Sequence, residues 1–386
     1  MISVSNFITM IPCQKHLFDI PDEITYLNCA YFSPQLNKIR DAGYAGVKRK
    51  SHPWKVGPED FFTESEHARE LFSQFIGANA DDVAIIPAVS YGIAVAAELV
   101  AVKEGDEIVV LEDQFPSNYY PWLELARARN ARLVTLPRPR DWDWTAALLE
   151  HINQKTAVVA LPNVHWTDGS IIHLEKIAEK CRETGAELVL DVTQSLGALP
   201  ISVKEMKPSF LVTAAYKWLL GPYSFGFLYV RPDLQNKIPL EHNWINRKNS
   251  EDFGGLVNYR DEFQTGARRF DVGERSNFAL MPMVVAALRQ IHEWGVPQIQ
   301  ASLSVLTGKL ASGALELGLN VAPAEKRAGH LLGIRFPKGL PDGILQSLAE
   351  KNIFVSLRGD AMRISPHLYN DERDISRLLS ILRELR

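Results

Sequence analysis

The chain has 386 residues, 46% hydrophobic composition and a formal net charge of −4, enough for a buried core and for about two domains by size. The slight acidic balance argues against a nucleic-acid surface and against a polybasic membrane patch. The three cysteines, Cys13, Cys29 and Cys181, lack metal-ligand spacing, so no metal site is expected, and their odd number does not suit a secreted disulfide framework.

Met1–Phe7 carries no basic stretch followed by a long apolar run, and no window reaches the roughly 18 apolar residues of a membrane span. A soluble cytoplasmic protein is expected. Tyr91–Val102 reads as a helix that ends near Gly105. Ile108–Leu111, Arg132–Leu136 and Ala157–Leu161 read as buried strands, as do Leu188–Asp191, Phe210–Thr213 and Gly226–Val230. Between them His173–Thr184 has helical periodicity and stops at Gly185, a good C-cap residue. This alternation predicts an α/β fold with a mostly parallel sheet flanked by helices. The polar stretch Glu241–Arg275 fits no element, and such stretches are often functional or interfacial. Beyond residue 285 the pattern becomes α+β. Met283–Trp294 and Pro297–Leu317 read as helices, His330–Phe336, Ile353–Leu357 and Met362–Ser365 as short strands, and Asp374–Leu385 as a closing helix.

Two of the apolar runs end in chemistry. Glu187–Asp191 ends in a carboxylate, and Phe210–Ala215 is followed by Tyr216 and Lys217. Ligands of open parallel sheets sit at the carboxyl ends of the strands. A lysine and a carboxylate placed there suit pyridoxal phosphate. The amine forms a Schiff base with the aldehyde, and Asp191 keeps the pyridine nitrogen protonated, which makes the ring an electron sink for a carbanion at a substrate Cα. Ser90 lies at the start of a predicted helix, whose free N–H groups and dipole favour an anion such as the cofactor phosphate.

A series of motifs runs in order along the chain: Val89-Ser90-Tyr91-Gly92, Phe115-Pro116-Ser117-Asn118 with Pro121-Trp122, Asn163, Asp191-x-x-Gln194, Tyr216-Lys217, Arg269-Phe270-Asp271-Val272-Gly273 and Arg363-Ile364-Ser365. Together they resemble the class V aminotransferase family of fold-type I pyridoxal phosphate enzymes, which includes cysteine desulfurases, kynureninases, isopenicillin N epimerase and hercynylcysteine sulfoxide lyase. The resemblance runs from about Tyr26 to the C-terminus. It implies a large cofactor-binding domain over 31–285, a small C-terminal domain over 286–386 and an N-terminal segment, 1–30, lining the active site.

The resemblance also implies residue roles. Val89, Ser90 and Tyr216 would hold the phosphate, Phe115 would stack on the ring, and Asn163 and Gln194 would contact its phenolic oxygen. Lys217 and Asp191 would be the catalytic pair. Asn28, Ala30, Arg358 and Arg363 would bind substrate, with Arg363 on the α-carboxylate and Arg358 facing the side chain. His165 is a further candidate near the ring. Arg275, in a basic stretch with Arg268 and Arg269, would approach the neighbouring subunit's phosphate, so a homodimer with shared sites is expected. Phe115 stands where desulfurases stack a histidine, and Glu274 where many relatives have threonine. The span Ser356–Met362, which precedes the carboxylate-binding arginine, contains no cysteine. Cys181 is expected in the core. A thiol-relay cysteine desulfurase is therefore not expected. The reading leans to a lyase-type reaction, C–S cleavage or β-elimination, with an aminotransferase, an epimerase and a catalytically silent cofactor-binding protein as alternatives. The substrate is expected to be a small molecule, an amino acid whose side chain the sequence does not identify.

Overall fold

The computed structural model describes residues 9–384. Residues 1–8 of the N-terminal segment, with the Met1–Phe7 stretch expected to carry no targeting signal, lie outside the described residues, as does Leu385, the expected end of the last helix. In chain order the elements are β1 (Thr25–Tyr26), α1 (Asn37–Lys50), α2 (Thr63–Ile76), β2 (Val83–Ile86), α3 (Val89–Leu99), β3 (Glu107–Leu111), α4 (Tyr120–Arg129), β4 (Arg132–Leu136), α5 (Trp144–His151), β5 (Thr156–Pro162), α6 (Leu174–Thr184), β6 (Glu187–Asp191), α7 (Val203–Met206), β7 (Phe210–Ala214) and β8 (Gly226–Val230). The remainder comprises α8 (Leu280–Trp294), α9 (Val296–Glu316), β9 (Asn320–Val321), β10 (Leu332–Arg335), α10 (Ile344–Glu350), β11 (Ile353–Phe354), β12 (Ser356–Arg358), β13 (Ala361–Ile364) and α11 (Glu372–Glu384). The segment 241–275 is made of turns and short 3-10 pieces at Phe253–Val257 and Gly266–Phe270. Among the described residues no helix is long and apolar enough to cross a membrane.

The large sheet has seven strands in the order β2-β8-β7-β6-β5-β3-β4. Strands β4, β3, β5, β6 and β7 run parallel, and β8 is antiparallel to both of its neighbours. Helices on both faces make these strands near-continuous apolar runs rather than alternating ones. β7, for example, is buried at every position. One core packs on each face, with Phe72, Leu190 and Phe227 in one and Ile93, Val110 and Val212 in the other. Cys181 sits in the first of these, as expected for an apolar helix position.

A second, four-stranded antiparallel sheet, β12-β13-β10-β9, has its own core with α9 and α11. Strand β1 pairs with β11, and Asn28 bridges Ser365 in the parallel sense. The N-terminal segment is thereby stitched to the C-terminal third of the chain. Helix α8 runs unbroken through residue 285 and packs on α1 and α2.

Two close approaches position the site. A Cβ on Gly92 would lie 2.7 Å from Ile86 Cδ1 and from Val212 Cγ1. Only glycine lets α3 settle onto the sheet there, and this brings its N-terminus to the strand ends. Gly197, at φ +102°, turns the chain after β6 so tightly that a Cβ would meet Trp218 O at 2.4 Å. Behind the edge strand β2, Asp271 accepts from Arg69 at 3.1 and 2.9 Å and from Ile85 N at 2.7 Å, fully buried. This pair ties 241–275 to the large sheet.

Candidate active site

A cavity of about 330 Å³ opens at the carboxyl ends of β5, β6 and β7. Asp191 is the last residue of β6, and its register partner on β7 is Val212. Five residues beyond Val212 comes Lys217, in the turn between β7 and β8. That turn is closed by Ala215 N to Phe225 O at 2.9 Å and Leu220 N to Lys217 O at 3.0 Å. It contains two non-glycine residues in the left-handed region, Leu220 (φ 55°) and Ser224 (φ 61°), and Ser224 lines the cavity. Such backbone persists only where its surroundings hold it, and it clusters at functional sites.

The N-terminal segment completes the hold on this turn. Tyr216 O accepts from Ser33 N and Ser33 Oγ at 3.2 and 3.0 Å. Ala30 N donates to Ser365 Oγ at 2.9 Å, and Ala30 O accepts from Gln194 Nε2 at 3.1 Å. Gln194 Oε1 in turn accepts from Trp218 Nε1 at 3.1 Å. One strand of chain thus joins the Lys217 turn, the Asp191 turn and the small sheet.

Lys217 is 6% exposed and Asp191 7%. Burial pulls the Lys217 ammonium down to about 8, Arg363 adds to the shift, and Asp191 opposes it. Burial pushes Asp191 above the usual carboxylate range, against hydrogen bonds from Thr193 and the pull of Lys217. Thr193 N donates to Asp191 Oδ1 at 3.0 Å. The lysine makes no ion pair among the described residues, and its amine lies 5.3 Å from the Phe115 ring centroid and 5.5 Å from that of Tyr216. Two opposite charges buried in one cavity without closing on each other leave room for a group between them.

The other expected residues are distributed as follows. Val89 and Ser90 begin α3 and line the cavity; Ala88 is the N-cap, and no side chain caps the helix. First-turn N–H groups of a helix have no intrahelical acceptor, so this end offers donors to an anion. Phe115 lines the cavity and meets Trp166 edge-on, with centroids 5.3 Å apart. Asn163 is buried just behind Pro162 and Val164, with its Oδ1 unpartnered. Burial pushes the Tyr216 phenol up to about 12, which keeps it a neutral donor.

Arg363 is 1% exposed. It donates to Trp166 O at 2.8 Å and to Ser356 Oγ at 3.2 Å, and Ser356 donates to Asn28 Oδ1 at 2.7 Å. Its Nε has no partner among the described residues. Arg358 sits beside the same cavity mouth, as do Ala30 and Tyr31.

Two candidates stand apart. Arg275 is buried against Asp271, with Nε to Oδ2 at 3.2 Å, and does not line the cavity of its own chain. His165 is packed away from the ring site. It stacks on Trp144 at 5.3 Å, and its nitrogens face Thr167 Oγ1 at 2.8 Å and Glu112 O at 3.1 Å. Conversely, Trp166, Tyr31, Tyr223 and Ser356 belong to the site and were not anticipated. Trp166 lies three residues after Asn163, but nothing in its neighbours distinguishes it from any loop tryptophan.

The donor set fits pyridoxal phosphate at both ends: an unpaired buried amine and carboxylate for the aldehyde and ring nitrogen, a bare helix end for the phosphate, and an aromatic ring beside the amine. The family model described as Aminotransferase class-V matches residues 36–378. The chain belongs to the class-V aminotransferase family. Its cofactor is pyridoxal phosphate. Among its relatives is YcbU of Bacillus subtilis (strain 168), an "uncharacterized aminotransferase" 29% identical over 90% of this chain and 89% of that one. Another is a "probable cysteine desulfurase" of Pyrococcus abyssi, 25% identical over 83% of this chain and 82% of that one. The apo structure of a cysteine desulfurase from Thermococcus onnurineus NA1 shares the fold, with a TM-score of 0.83, 21% identity and coverage of 98% of this chain and 99% of that one.

These relatives overturn one expectation. The missing cysteine in Ser356–Met362 does not separate this chain from the cysteine desulfurases, because several relatives carry that name. The segment is a tight hairpin of β12 and β13.

Proposed function

We propose that the protein cleaves the Cβ–S bond of a cysteine-type amino acid. The observation that carries the reading is the buried, mutually unpaired Lys217 and Asp191 in one cavity. The relatives named cysteine desulfurase support the C–S choice. Pyridoxal phosphate supplies, when bound, an electron sink conjugated to the substrate Cα.

The residues do the rest. Asp191, at the floor of the cavity, would keep a proton on the ring nitrogen by charge pairing. Ser90 and the first N–H groups of α3 would hold the phosphate. Gln194 and Asn163 would contact the phenolic oxygen, and Phe115 would pack on the ring face. Arg363 would grip the α-carboxylate in a bidentate fork and so fix which Cα bond faces the ring. Lys217, pulled down to about 8 by burial, gives up its proton far more readily than a free lysine and would take the Cα proton. Arg275, paired with Asp271, would act across a homodimer interface.

Transamination is the second reading, favoured by the name of YcbU. A panel of L-amino acids, including cysteine and S-substituted cysteines, separates the two. C–S cleavage predicts sulfur release with loss of the β-substituent. Formation of the intact keto acid from the same substrates, without sulfur release, would establish transamination instead.

A further inference from the structure

Two guanidinium groups enter one small cavity. Arg363 is on β13 and pairs in register with Ser356 on β12; Arg358 lies two residues beyond Ser356. The two-residue period of a strand puts Ser356 and Arg358 on the same face, beside Arg363. Both arginines line the mouth above Lys217, and the described lining residues there include no carboxylate.

Among the described residues neither arginine has an ion pair. Arg363 spends its donors on Trp166 O and Ser356 Oγ. Arg358 is half-buried and donates to Leu357 O at 2.6 Å, while its Nε has no partner. Its guanidinium lies 5.4 Å from the Trp166 ring centroid and 5.9 Å from that of Tyr31, so two aromatic faces position it. The adjacent carboxylate, Asp360, is taken by Arg335 at 3.0 Å through both oxygens. Two like charges brought together at low dielectric oppose each other, and burial with this repulsion pulls Arg363 down to about 9. One α-carboxylate answers one fork. The second fork is left without an acid.

We propose that Arg358 reads a second anionic group, a carboxylate at the far end of the substrate's side chain, while Arg363 takes the α-carboxylate. The inference rests on the reading that this cavity binds an amino acid, and it narrows the substrate to amino acids with an acidic S-substituent.

The test uses the cofactor-loaded enzyme and two S-substituted cysteines of equal length: S-(2-carboxyethyl)-L-cysteine and its neutral side-chain amide. The wild type is expected to favour the acid in kcat/KM by roughly 10- to 100-fold, the range of a charge-assisted hydrogen-bonded pair. Arg358→Gln should bring that ratio close to one, and Arg358→Lys should recover part of it as a point charge without the fork. Turnover of both compounds at equal kcat/KM by the wild type, or a preference that survives in Arg358→Gln, overturns the inference and leaves the C–S reading intact. The α-methyl forms of both compounds, which have no Cα proton, give a second readout by calorimetry. An Arg358-dependent preference for binding the acid, with no turnover of either parent compound, supports the inference while removing the C–S reading.

Discussion

Replacing Lys217 with alanine lowers turnover by at least about 10³-fold, because the variant loses both the covalent anchor and the base at Cα. Pyridoxal phosphate should still enter the cavity, held by the α3 N-terminus and Asp191, but without covalent attachment. Initial rates on the best substrate of the amino-acid panel, with cofactor in excess, give the check. A variant within tenfold of the wild type would take Lys217 out of the chemistry. The same residue has an expected cost in stability. Burial holds its ammonium at about 8 against an ordinary value of 10.5. Between those values the unfolded chain binds a proton that the folded chain lacks, so the stability of protein stripped of cofactor rises with pH across that window. Below it the full burden remains. Lys217→Met should remove this slope and stabilise the cofactor-free protein at pH 7 by about 3 kcal/mol, the free-energy equivalent of the drop from 10.5 to about 8, in which the attraction to Asp191 is already counted.

Asp191→Asn lowers kcat by on the order of 10²- to 10³-fold, the range seen when one preorganised electrostatic partner is removed, and leaves cofactor attachment at Lys217 in place. The amide fills the same space and can still accept from Thr193 N, but it carries no charge to keep the ring nitrogen protonated. Single-turnover kinetics together with the absorbance of the bound cofactor separate a loss of chemistry from a loss of cofactor. The pH sign is opposite to that of the lysine. Because burial raises the Asp191 pKa, the folded chain holds a proton that the unfolded chain has already released just above the ordinary carboxylate value. Stability therefore falls as pH rises through that window, and the asparagine variant loses this dependence. Burial of both groups comes at the expense of the fold, as is common for residues poised for chemistry.

The strands that place these two residues were legible because each is a short β-branched run that stops at a polar group. Phe210–Ala214 and Glu187–Asp191 differ from the expected bounds by one residue at one end. The start of α3 at Val89 rather than near Tyr91 moves Ser90 into the helix's first turn, because the small Ala88 caps it without a side chain. Other elements were missed. Strand β2 is four residues between Asp82 and Pro87, too brief for a periodic signal. Helix α2 carries Ala68, Phe72 and Ile76 at helical spacing, but amid charged residues that hide the stripe. The path of Asn28–Ser33 through the site rests on contacts with Gln194, Tyr216 and Ser365, between 164 and 336 positions away. Local sequence holds no record of such pairings, and only the family resemblance placed Asn28 and Ala30 near substrate. Trp166 escaped for the same reason: its role comes from lying between Phe115, Arg358 and Arg363, which are far from it in sequence.

The central claim is that one buried amine, opposite one buried carboxylate, anchors the cofactor. The direct measurement is borohydride reduction of the protein loaded with pyridoxal phosphate, followed by peptide mapping. A single pyridoxyl group on the peptide containing Lys217, absent from Lys217→Ala, is the predicted result. A protein that stays colourless with added cofactor, or a label on any other lysine, would contradict it.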